Sequence, residues 1–218
     1  MIEYQAVVFD LDGTLLDTID DLADAANRSL EKLGFPVHPT SAYKIFVGDG
    51  MRALVERILP EDKRDDATVD RAYEMMREEY SQSWDAKSKP YEGICEMLRS
   101  LESKGMKLAV LSNKPDFFTK LCVKKFFPDT NFQQVLGVCE IRPPKPDPTG
   151  ALNLAKELGV EPRNCLYMGD TNTDMQTANS AGMFAIGVEW GFRTREELAK
   201  NNARKIISRP AEVLELLN

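Results

Sequence analysis

Two aspartates, Asp10 and Asp12, directly follow the apolar run AVVF and precede Gly13 and Thr14. In an extended segment, residues i and i+2 share a face, so both carboxylates are expected to point into one small space. An ionised group that leaves water must be paired or neutralised, and a buried strand has little use for a carboxylate at its tip. Gly13 allows a turn at positive φ and a close approach to a ligand. The segment therefore predicts a built site.

Asp and Gly are also common turn residues, so this segment alone leaves an ordinary turn open. An EF-hand calcium loop is excluded, because it needs acidic or amide residues at alternating positions before a glycine at the sixth. Here Gly13 stands fourth, and apolar Leu15 and Leu16 follow. A second acidic pair, Asp170 and Asp174, follows the apolar run LYMG far along the chain. That second pair favours the site over the turn.

Two further polar segments complete the pattern. Ser112, Asn113 and Lys114 follow the apolar run LAVL, and Lys145 lies in the proline-rich segment PPKPDP. Each has an ordinary alternative, because Ser112 could cap a helix and Lys145 could be a solvated loop lysine. In open parallel sheets, however, ligands bind at the carboxyl ends of strands. The co-occurrence of all four segments at one predicted edge favours a common site.

Carboxylates that converge in this way need cations. Two carboxylates about 4 Å apart repel by roughly 4 kcal/mol at an effective dielectric constant near 20. A divalent ion with oxygen ligands relieves the repulsion, and Mg²⁺ usually binds through one or two carboxylates and a substrate phosphate. Lys145 adds positive charge, whereas Ser112 and the backbone N–H groups of the turns would hold an anion. The combination predicts a phosphoryl-transfer site.

Apolar runs that alternate with helical patterns predict the elements that position these groups. The fold class is α/β, with a Rossmann-like doubly wound parallel sheet as the core (residues 1–15 plus 85–218). The predicted strands are 5–10, 107–112, 134–138, 164–170 and 185–188, with a weaker one at 205–207. The predicted core helices are 94–104, 117–126, 148–158, 172–181 and 211–217.

Residues 16–84 break this alternation and predict an inserted all-helical cap subdomain over the Asp10–Thr14 turn. This segment offers no convincing strand, and Arg77, Glu78 and Glu79 are expected on a solvated helical face. A cap in this place could exclude water and select substrates. Its predicted helices are 20–33, 41–46, 51–59 and 69–84.

Composition narrows the class of protein. The chain has 218 residues, of which 43% are hydrophobic and 29% charged, as is typical of a soluble globular protein. Its net charge of −7 argues against broad nucleic-acid binding. Without a basic leader or an apolar run of membrane length, we expect a cytoplasmic monomer or homodimer that binds neither nucleic acid nor membrane. Four cysteines without a Cys-x-x-Cys pair and a single histidine predict reduced thiols and no zinc site.

The four polar segments resemble, in order and spacing, the four motifs of the haloacid-dehalogenase-like hydrolases, and the resemblance covers essentially the whole chain. True dehalogenases would not be expected to carry the second aspartate of the first motif, so Asp12 points to the phosphatase branch. The stretch FVGDGMR at 46–52 and the segments 90–93 and 112–115 are most similar to the phosphoglycolate phosphatase group, although relatives with other substrates have similar caps.

The resemblance implies hydrolysis of a small phosphorylated metabolite, with 2-phosphoglycolate as the first candidate. It implies that Asp10 is the nucleophile that forms an aspartyl-phosphate and that Asp12 acts first as acid and then as base. Mg²⁺ would bind Asp10, the backbone carbonyl of Asp12, Asp170 and, directly or through water, Asp174. The residues implied for the phosphate are Ser112, Asn113, Lys145 and Thr14.

Substrate choice is expected to depend on the cap. Gly48 and Gly50 would let its backbone approach the site, and Arg52 is a candidate for reading a substrate carboxylate, with a surface helix position as the alternative. Other enzymes of this fold remain open: a sugar-phosphate phosphatase, a pyrophosphatase, a phosphomutase, or a phosphonate hydrolase that uses Lys44 for a Schiff base. A non-catalytic binding module is a different class, and the complete acidic set argues against it.

Overall fold

A computed structural model describes residues 3–217. The strands are β1 (Ala6–Phe9), β2 (Leu16–Asp17), β3 (Lys89–Pro90), β4 (Lys107–Pro115), β5 (Phe132–Val138), β6 (Cys165–Gly169), β7 (Phe184–Val188) and β8 (Lys205–Ile207). The helices are α1 (Ile19–Leu33), α2 (Thr40–Phe46), α3 (Met51–Ile58), α4 (Asp66–Ser83), α5 (Ile94–Ser103), α6 (Asp116–Phe126), α7 (Thr149–Leu158), α8 (Asn172–Ser180) and α9 (Arg195–Lys200). Short 3₁₀ segments cover Glu61–Lys63, Pro162–Asn164 and Pro210–Leu217.

Six parallel strands form the central sheet in the order β5-β4-β1-β6-β7-β8, which confirms the doubly wound α/β core. Strand β1 lies between β4 and β6, and Phe9 pairs with Val110 on one side and Met168 on the other. The residues that follow these three positions therefore reach the same edge of the sheet. This register is the reason that the polar segments after β1, β4 and β6 can meet.

Side chains of β1 point alternately to the two faces of the sheet, and helices cover both faces. Val7 and Phe9 pack in an apolar cluster with residues of α5 and α6, whereas Ala6 and Val8 pack in another with residues of α7 and α8. All four side chains are fully buried. A strand that is covered on both faces reads as a continuous apolar run, and this explains why AVVF was recognisable as a central strand.

Helices α1–α4 form a separate helical unit with an apolar cluster of its own, which includes Leu30, Tyr43 and Met76. Phe118 and Phe192, which lie outside these helices, join that cluster and pack the unit against the sheet domain. The chain enters and leaves the unit through the antiparallel pair β2–β3. Strand β2 corrects the expectation that residues 16–84 lack a strand, because two residues are too short to leave an alternating pattern.

Asp21 at the start of α1 fixes the segment that returns from the helical unit. Its buried carboxylate accepts hydrogen bonds from the backbone N–H of Lys87 at 3.0 Å and from the backbone N–H and hydroxyl of Ser88 at 2.8 Å and 2.7 Å. A buried carboxylate with several such donors is well compensated for its loss of water. The two crossings between the helical unit and the sheet domain are thereby held together.

Two details of the remaining elements differ from the prediction. The segment predicted as a helix at 211–217 is a 3₁₀ segment, and α9 was not predicted. The Thr194 side chain accepts a hydrogen bond from the backbone N–H of Glu197 at the start of α9. Thr three residues before Glu is a helix-start pattern, so the sequence carried a usable signal. Within residues 3–217, no helix combines the length and the apolar character needed to cross a bilayer.

Glu79 corrects the expectation of a solvated face on α4. Arg77 and Glu78 are exposed, but Glu79 is 4% exposed and pairs with Arg28 at 2.9 Å and with Lys32, both on α1. The periodicity of α4 could not show that α1 places two cations against this position. The Glu79 carboxylate thus contributes to the packing of α1 on α4.

We expect E79Q to lower the free energy of unfolding by about 1–2 kcal/mol, because it weakens charged hydrogen bonds at a buried position. The matched variant E78Q, one residue away and exposed, should change it by less than about 0.5 kcal/mol. Urea unfolding of both variants measures the difference. Equal effects of the two substitutions would show that the Glu79 pairs add nothing to stability.

Candidate active site

The polar segments predicted to converge do so at the carboxyl edge of the sheet. Asp10 directly follows β1, Ser112 lies in β4, and Asp170 directly follows β6. Asp10, Asp12 and Ser112 line one cavity, whose opposite wall comes from the helical unit. The cavity thus lies between the sheet edge and the helices that were predicted to cover the Asp10–Thr14 turn.

Asp10, Asp170 and Asp174 form a buried acidic cluster. One carboxylate oxygen from each lies within 4.8 Å of the others. The Nζ of Lys145 lies 2.9 Å from Asp10 Oδ1 and 2.7 Å from Asp174 Oδ1, and Lys145 is itself buried. When all three carboxylates are ionised, one ammonium leaves two negative charges, which a divalent cation would balance. The oxygen-only donor set also fits a hard cation, so the cluster could hold a metal ion.

The pKa values express the same crowding. Burial, and then the charge of Asp174, raise the pKa of Asp10 to about 7, although Lys145 opposes the rise. Burial and the neighbouring acids raise the pKa of Asp170 well above its ordinary value. Burial alone would lower the pKa of Lys145, but the charges of Asp10 and Asp174 outweigh burial and raise this pKa well above its ordinary value. Lys145 therefore favours ionisation of Asp10 without offsetting the whole cost of burial.

Hydrogen bonds hold Asp170 in place. It accepts from the Thr14 hydroxyl at 3.1 Å and from the backbone N–H of Phe192 at 2.8 Å. The structure thus turns the Thr14 hydroxyl, which was predicted to bind phosphate, towards the acidic cluster. Phe192 lies after β7, and nothing in the sequence indicated that its backbone N–H would bind Asp170.

Asp174 is fixed by its own helix and by Lys145. Its Oδ2 accepts from the backbone N–H and the hydroxyl of Thr171, at 3.1 Å and 2.7 Å, and Thr171 caps the N-terminus of α8 in return. Its Oδ1 accepts from Lys145. Thr171 therefore caps α8 and at the same time orients an acid of the cluster.

Two glycines make room for Asp170. Gly13 has a φ of +85°, and a Cβ there would lie 2.3 Å from Asp170 Oδ2. A Cβ on Gly191 would lie 2.2 Å from Asp170 Cβ and 2.5 Å from the Gly13 carbonyl oxygen. Real Cβ atoms do not approach so closely. Gly13 was predicted on its turn alone, whereas Gly191 was missed because its partner is distant in sequence.

Asp12 pairs with a second buried lysine, Lys114, for which the sequence predicted no role. The Nζ of Lys114 lies 2.9 Å and 3.1 Å from the two Asp12 carboxylate oxygens, and the Thr18 hydroxyl donates to Oδ1 at 2.7 Å. Burial alone would lower the pKa of Lys114, but the Asp12 carboxylate outweighs it and raises the pKa above its ordinary value. Ser112 accepts from the backbone N–H of Lys114 at 3.2 Å, which orients the hydroxyl at the cavity.

Asn113 joins three parts of the site through its side chain. Its Oδ1 accepts from the backbone N–H of Lys145 at 2.8 Å, and its Nδ2 donates to the Lys145 carbonyl at 3.0 Å and to the Gly48 carbonyl at 3.1 Å. The Asn113 side chain, which was predicted to bind phosphate, thus connects the segment that carries Lys145 with the helical unit. The Asn113 side-chain amide is therefore already engaged by groups of the protein.

The residues predicted to select the substrate separate into two groups. Gly48 and Gly50 line the cavity, with φ values of +130° and +94°. Arg52 lies outside the lining, is about half exposed, and pairs with Asp70 at 2.5 Å. Lys44, the candidate for a Schiff base, is exposed and also lies outside the lining. The structure therefore brings the glycines to the site but not these two cations.

Arg193 connects the helical unit to the sheet domain and was also missed. Its guanidinium donates to the carbonyls of Lys44, Ile45 and Val47, with distances of 3.2 Å to Ile45 and 2.7 Å to Val47. The hydroxyl of Thr173 on α8 adds a contact with Asp49 at 2.8 Å. Together with Asn113, these bonds hold the segment that carries Gly48 over the acidic cluster.

Comparisons with known proteins agree with this arrangement. The family model described as haloacid dehalogenase-like hydrolase matches residues 7–188. A phosphoglycolate phosphatase of Psychrobacter arcticus is 32% identical over 204 residues, which cover 91% of this chain and 89% of the relative. A phosphoglycolate phosphatase of Aquifex aeolicus is 31% identical over 214 residues, 98% of this chain and 97% of the relative.

A solved structure extends the likeness to three dimensions. The crystal structure of a protein of Lactobacillus delbrueckii subsp. bulgaricus, provisionally named a phosphoglycolate phosphatase, superposes with a TM-score of 0.93. It is 32% identical and covers 99% of this chain and 98% of its own. Motifs, fold and relatives agree over nearly the full length, and the chain belongs to the haloacid dehalogenase-like hydrolases, within which it is similar to the phosphoglycolate phosphatases.

Proposed function

We propose that this protein is a Mg²⁺-dependent phosphatase that hydrolyses a small phosphomonoester, with 2-phosphoglycolate as the best candidate, through an aspartyl-phosphate on Asp10. One observation carries the proposal: Asp10 and Asp12 share a cavity, and each has its own buried lysine. Lys145 contacts Asp10 at 2.9 Å and Lys114 contacts Asp12 at 2.9 Å. Two carboxylates with separate environments can perform separate chemical roles.

Asp10 is arranged as the nucleophile. Its Oδ1 accepts from the backbone N–H of Leu11 at 2.7 Å and lies 2.9 Å from Lys145 Nζ. Among residues 3–217, these are the hydrogen-bonding contacts found for the carboxylate, so Oδ2 is the oxygen left to attack phosphorus. The new bond joins Oδ2 to phosphorus while the bond from phosphorus to the leaving oxygen breaks. Lys145 and the Ser112 hydroxyl would hold the transferred group.

Asp12 handles the protons in both halves of the reaction. Asp12 enters the reaction protonated and gives its proton to the leaving oxygen as the ester bond breaks. The resulting carboxylate then takes a proton from water, which restores the acid. That water oxygen bonds to phosphorus while the bond to Asp10 breaks, which restores the Asp10 carboxylate and releases phosphate. The cavity between Asp12 and the helical unit is where the leaving group would lie.

The metal would be held by Asp10, the backbone carbonyl of Asp12, and Asp170, with Asp174 acting directly or through water. When bound, Mg²⁺ would neutralise charge on the transferring phosphoryl group. Both oxygens of Asp174 already accept hydrogen bonds, from Lys145 and from Thr171, which favours the indirect role. The fully ionised cluster carries two negative charges more than Lys145 balances, which supports a divalent ion.

The cavity supports a small leaving group. Its walls on the helical unit are apolar apart from the glycine backbone, so they offer few partners for the hydroxyl groups of a sugar. We propose that residues 16–84 act as the cap that imposes this limit on a core of residues 1–15 plus 85–218. The apolar side chains of the wall are Leu22, Val47, Met51 and Leu54.

Phosphate release with Mg²⁺ tests the proposal on 2-phosphoglycolate, sugar phosphates, pyrophosphate and p-nitrophenyl phosphate. We expect the highest kcat/KM for 2-phosphoglycolate and a loss of at least about 1,000-fold in D10N, because the nucleophile is removed. Broad activity that still depends on Asp10 would keep the mechanism and reject the substrate. No release from any ester would contradict the phosphatase proposal and favour a mutase or a binding module.

The raised pKa of Asp10 predicts a pH dependence of stability. Between its ordinary value of 3.8 and about 7, the folded protein keeps a proton that the unfolded chain has lost. In metal-free buffer, Asp10 therefore makes the free energy of unfolding fall as the pH rises through this window and level off above about 7.

Because Mg²⁺ must displace that proton, it should raise the Tm more at about pH 8 than at about pH 5. Thermal melts with and without Mg²⁺ at both pH values measure this difference. D170N, which removes one acid of the cluster, should lose most of the Mg²⁺ effect. An equal Mg²⁺ effect at both pH values would contradict a site among these carboxylates.

A further inference from the structure

Lys114 is a buried cation whose contacts set it apart from Lys145. Its side chain is 2% exposed, and its Nζ lies 2.9 Å and 3.1 Å from the two oxygens of Asp12. Lys145 instead contacts Asp10 and Asp174. A buried lysine needs a partner to remain charged, and Asp12 is the ion-pair partner that the structure gives to Lys114.

The surroundings of Lys114 fix the place of its ammonium. Its backbone N–H donates to Ser112 Oγ at 3.2 Å, and strand β4 sets the direction of the chain. The ring of Tyr80, a fully buried residue of α4, lies over the ammonium with 4.7 Å between Nζ and the ring centroid. An aromatic face attracts a cation at this distance. The sheet and the helical unit thus both contribute to the position of one ammonium group.

Asp12 is constrained in turn. Lys114 binds both of its oxygens, and the Thr18 hydroxyl binds Oδ1. Rotation of the carboxylate would break at least one charged hydrogen bond, and such bonds are about twice as strong as neutral ones. An acid or base that transfers a proton must be held within hydrogen-bond reach of the reacting oxygen.

We propose that Lys114 is a positioning residue that holds the Asp12 carboxylate in the orientation needed for both of its proton transfers. The inference rests on the proposed phosphatase function. In the first half, Asp12 is protonated and gives its proton to the leaving oxygen while the Asp10–phosphorus bond forms and the ester bond breaks. In the second half, the same carboxylate takes a proton from water while the water oxygen bonds to phosphorus and the Asp10–phosphorus bond breaks. Lys114 keeps its own protons throughout.

The test compares two leaving groups in K114M. The alkoxide of 2-hydroxyethyl phosphate needs a proton as it leaves, whereas p-nitrophenolate does not. The kcat/KM reports steps up to the departure of the leaving group, so it isolates the first proton transfer. We expect K114M to lower kcat/KM by about 100-fold for the alkyl ester and by less than about 3-fold for the aryl ester. D12N should show the same selective pattern.

Controls separate this role from a structural one. K120M replaces an exposed lysine that pairs with Asp116 on α6, and it should leave both kcat/KM values unchanged. The aryl-ester activity of K114M reports whether the variant is folded. K114Q, which keeps a donor but not the charge, provides a second variant should K114M fail to fold, and it should reproduce the selectivity.

Three results would overturn the inference. Equal losses on both esters would assign Lys114 to the transferred phosphoryl group, and unchanged values on both would make it a bystander. A loss on 2-phosphoglycolate that spares 2-hydroxyethyl phosphate would mean that Lys114 binds a substrate carboxylate. Failure of the proposed function is distinguishable, because the wild-type protein would then show no phosphate release that depends on Asp10.

Discussion

The mutual repulsion of three buried carboxylates is the constraint on which the site depends. Asp10, Asp170 and Asp174 place oxygens within 4.8 Å of one another, and burial raises the pKa of Asp10 to about 7. Such an arrangement costs free energy in the protein alone, and that cost makes the cluster attractive to a cation, which can in turn hold an anionic phosphoryl group. Lys145 reduces the repulsion without removing it, so the cluster holds on to protons that a bound cation would displace.

Much of the surrounding structure serves to hold these acids in spite of that cost. The carboxylates receive hydrogen bonds from both neighbouring segments and distant ones, such as the Phe192 N–H on Asp170. Gly13 and Gly191 remove the atoms that would collide with Asp170. Asp12, by contrast, has a balanced charge because Lys114 pairs with it. The site therefore separates an acidic cluster that lacks cations from an aspartate–lysine pair of zero net charge, which supports the proposed division between nucleophile and proton carrier.

The sequence predicted the features that depend on local spacing. Asp10 and Asp12 share a face because they are two residues apart, and the apolar runs identify β1, β4 and β6 because central strands are buried on both faces. The features that it did not predict depend on contacts between distant segments. Examples are the space that Gly191 leaves for Asp170, the pairing of Lys114 with Asp12, and the burial of Glu79 against α1. Helical periodicity shows which side chains share a face but not which neighbour covers that face.

Trapping the covalent intermediate tests the central claim most directly. D12N treated with p-nitrophenyl phosphate should lose the leaving group without an acid but lack the base that activates water, so phosphoenzyme should accumulate. Acid quenching and peptide mass spectrometry are predicted to find one phosphoryl group per chain on the peptide that contains Asp10, and none in D10N. Continued release of phosphate by the wild-type protein, with no phosphorylated aspartate in either wild type or D12N, would contradict the account.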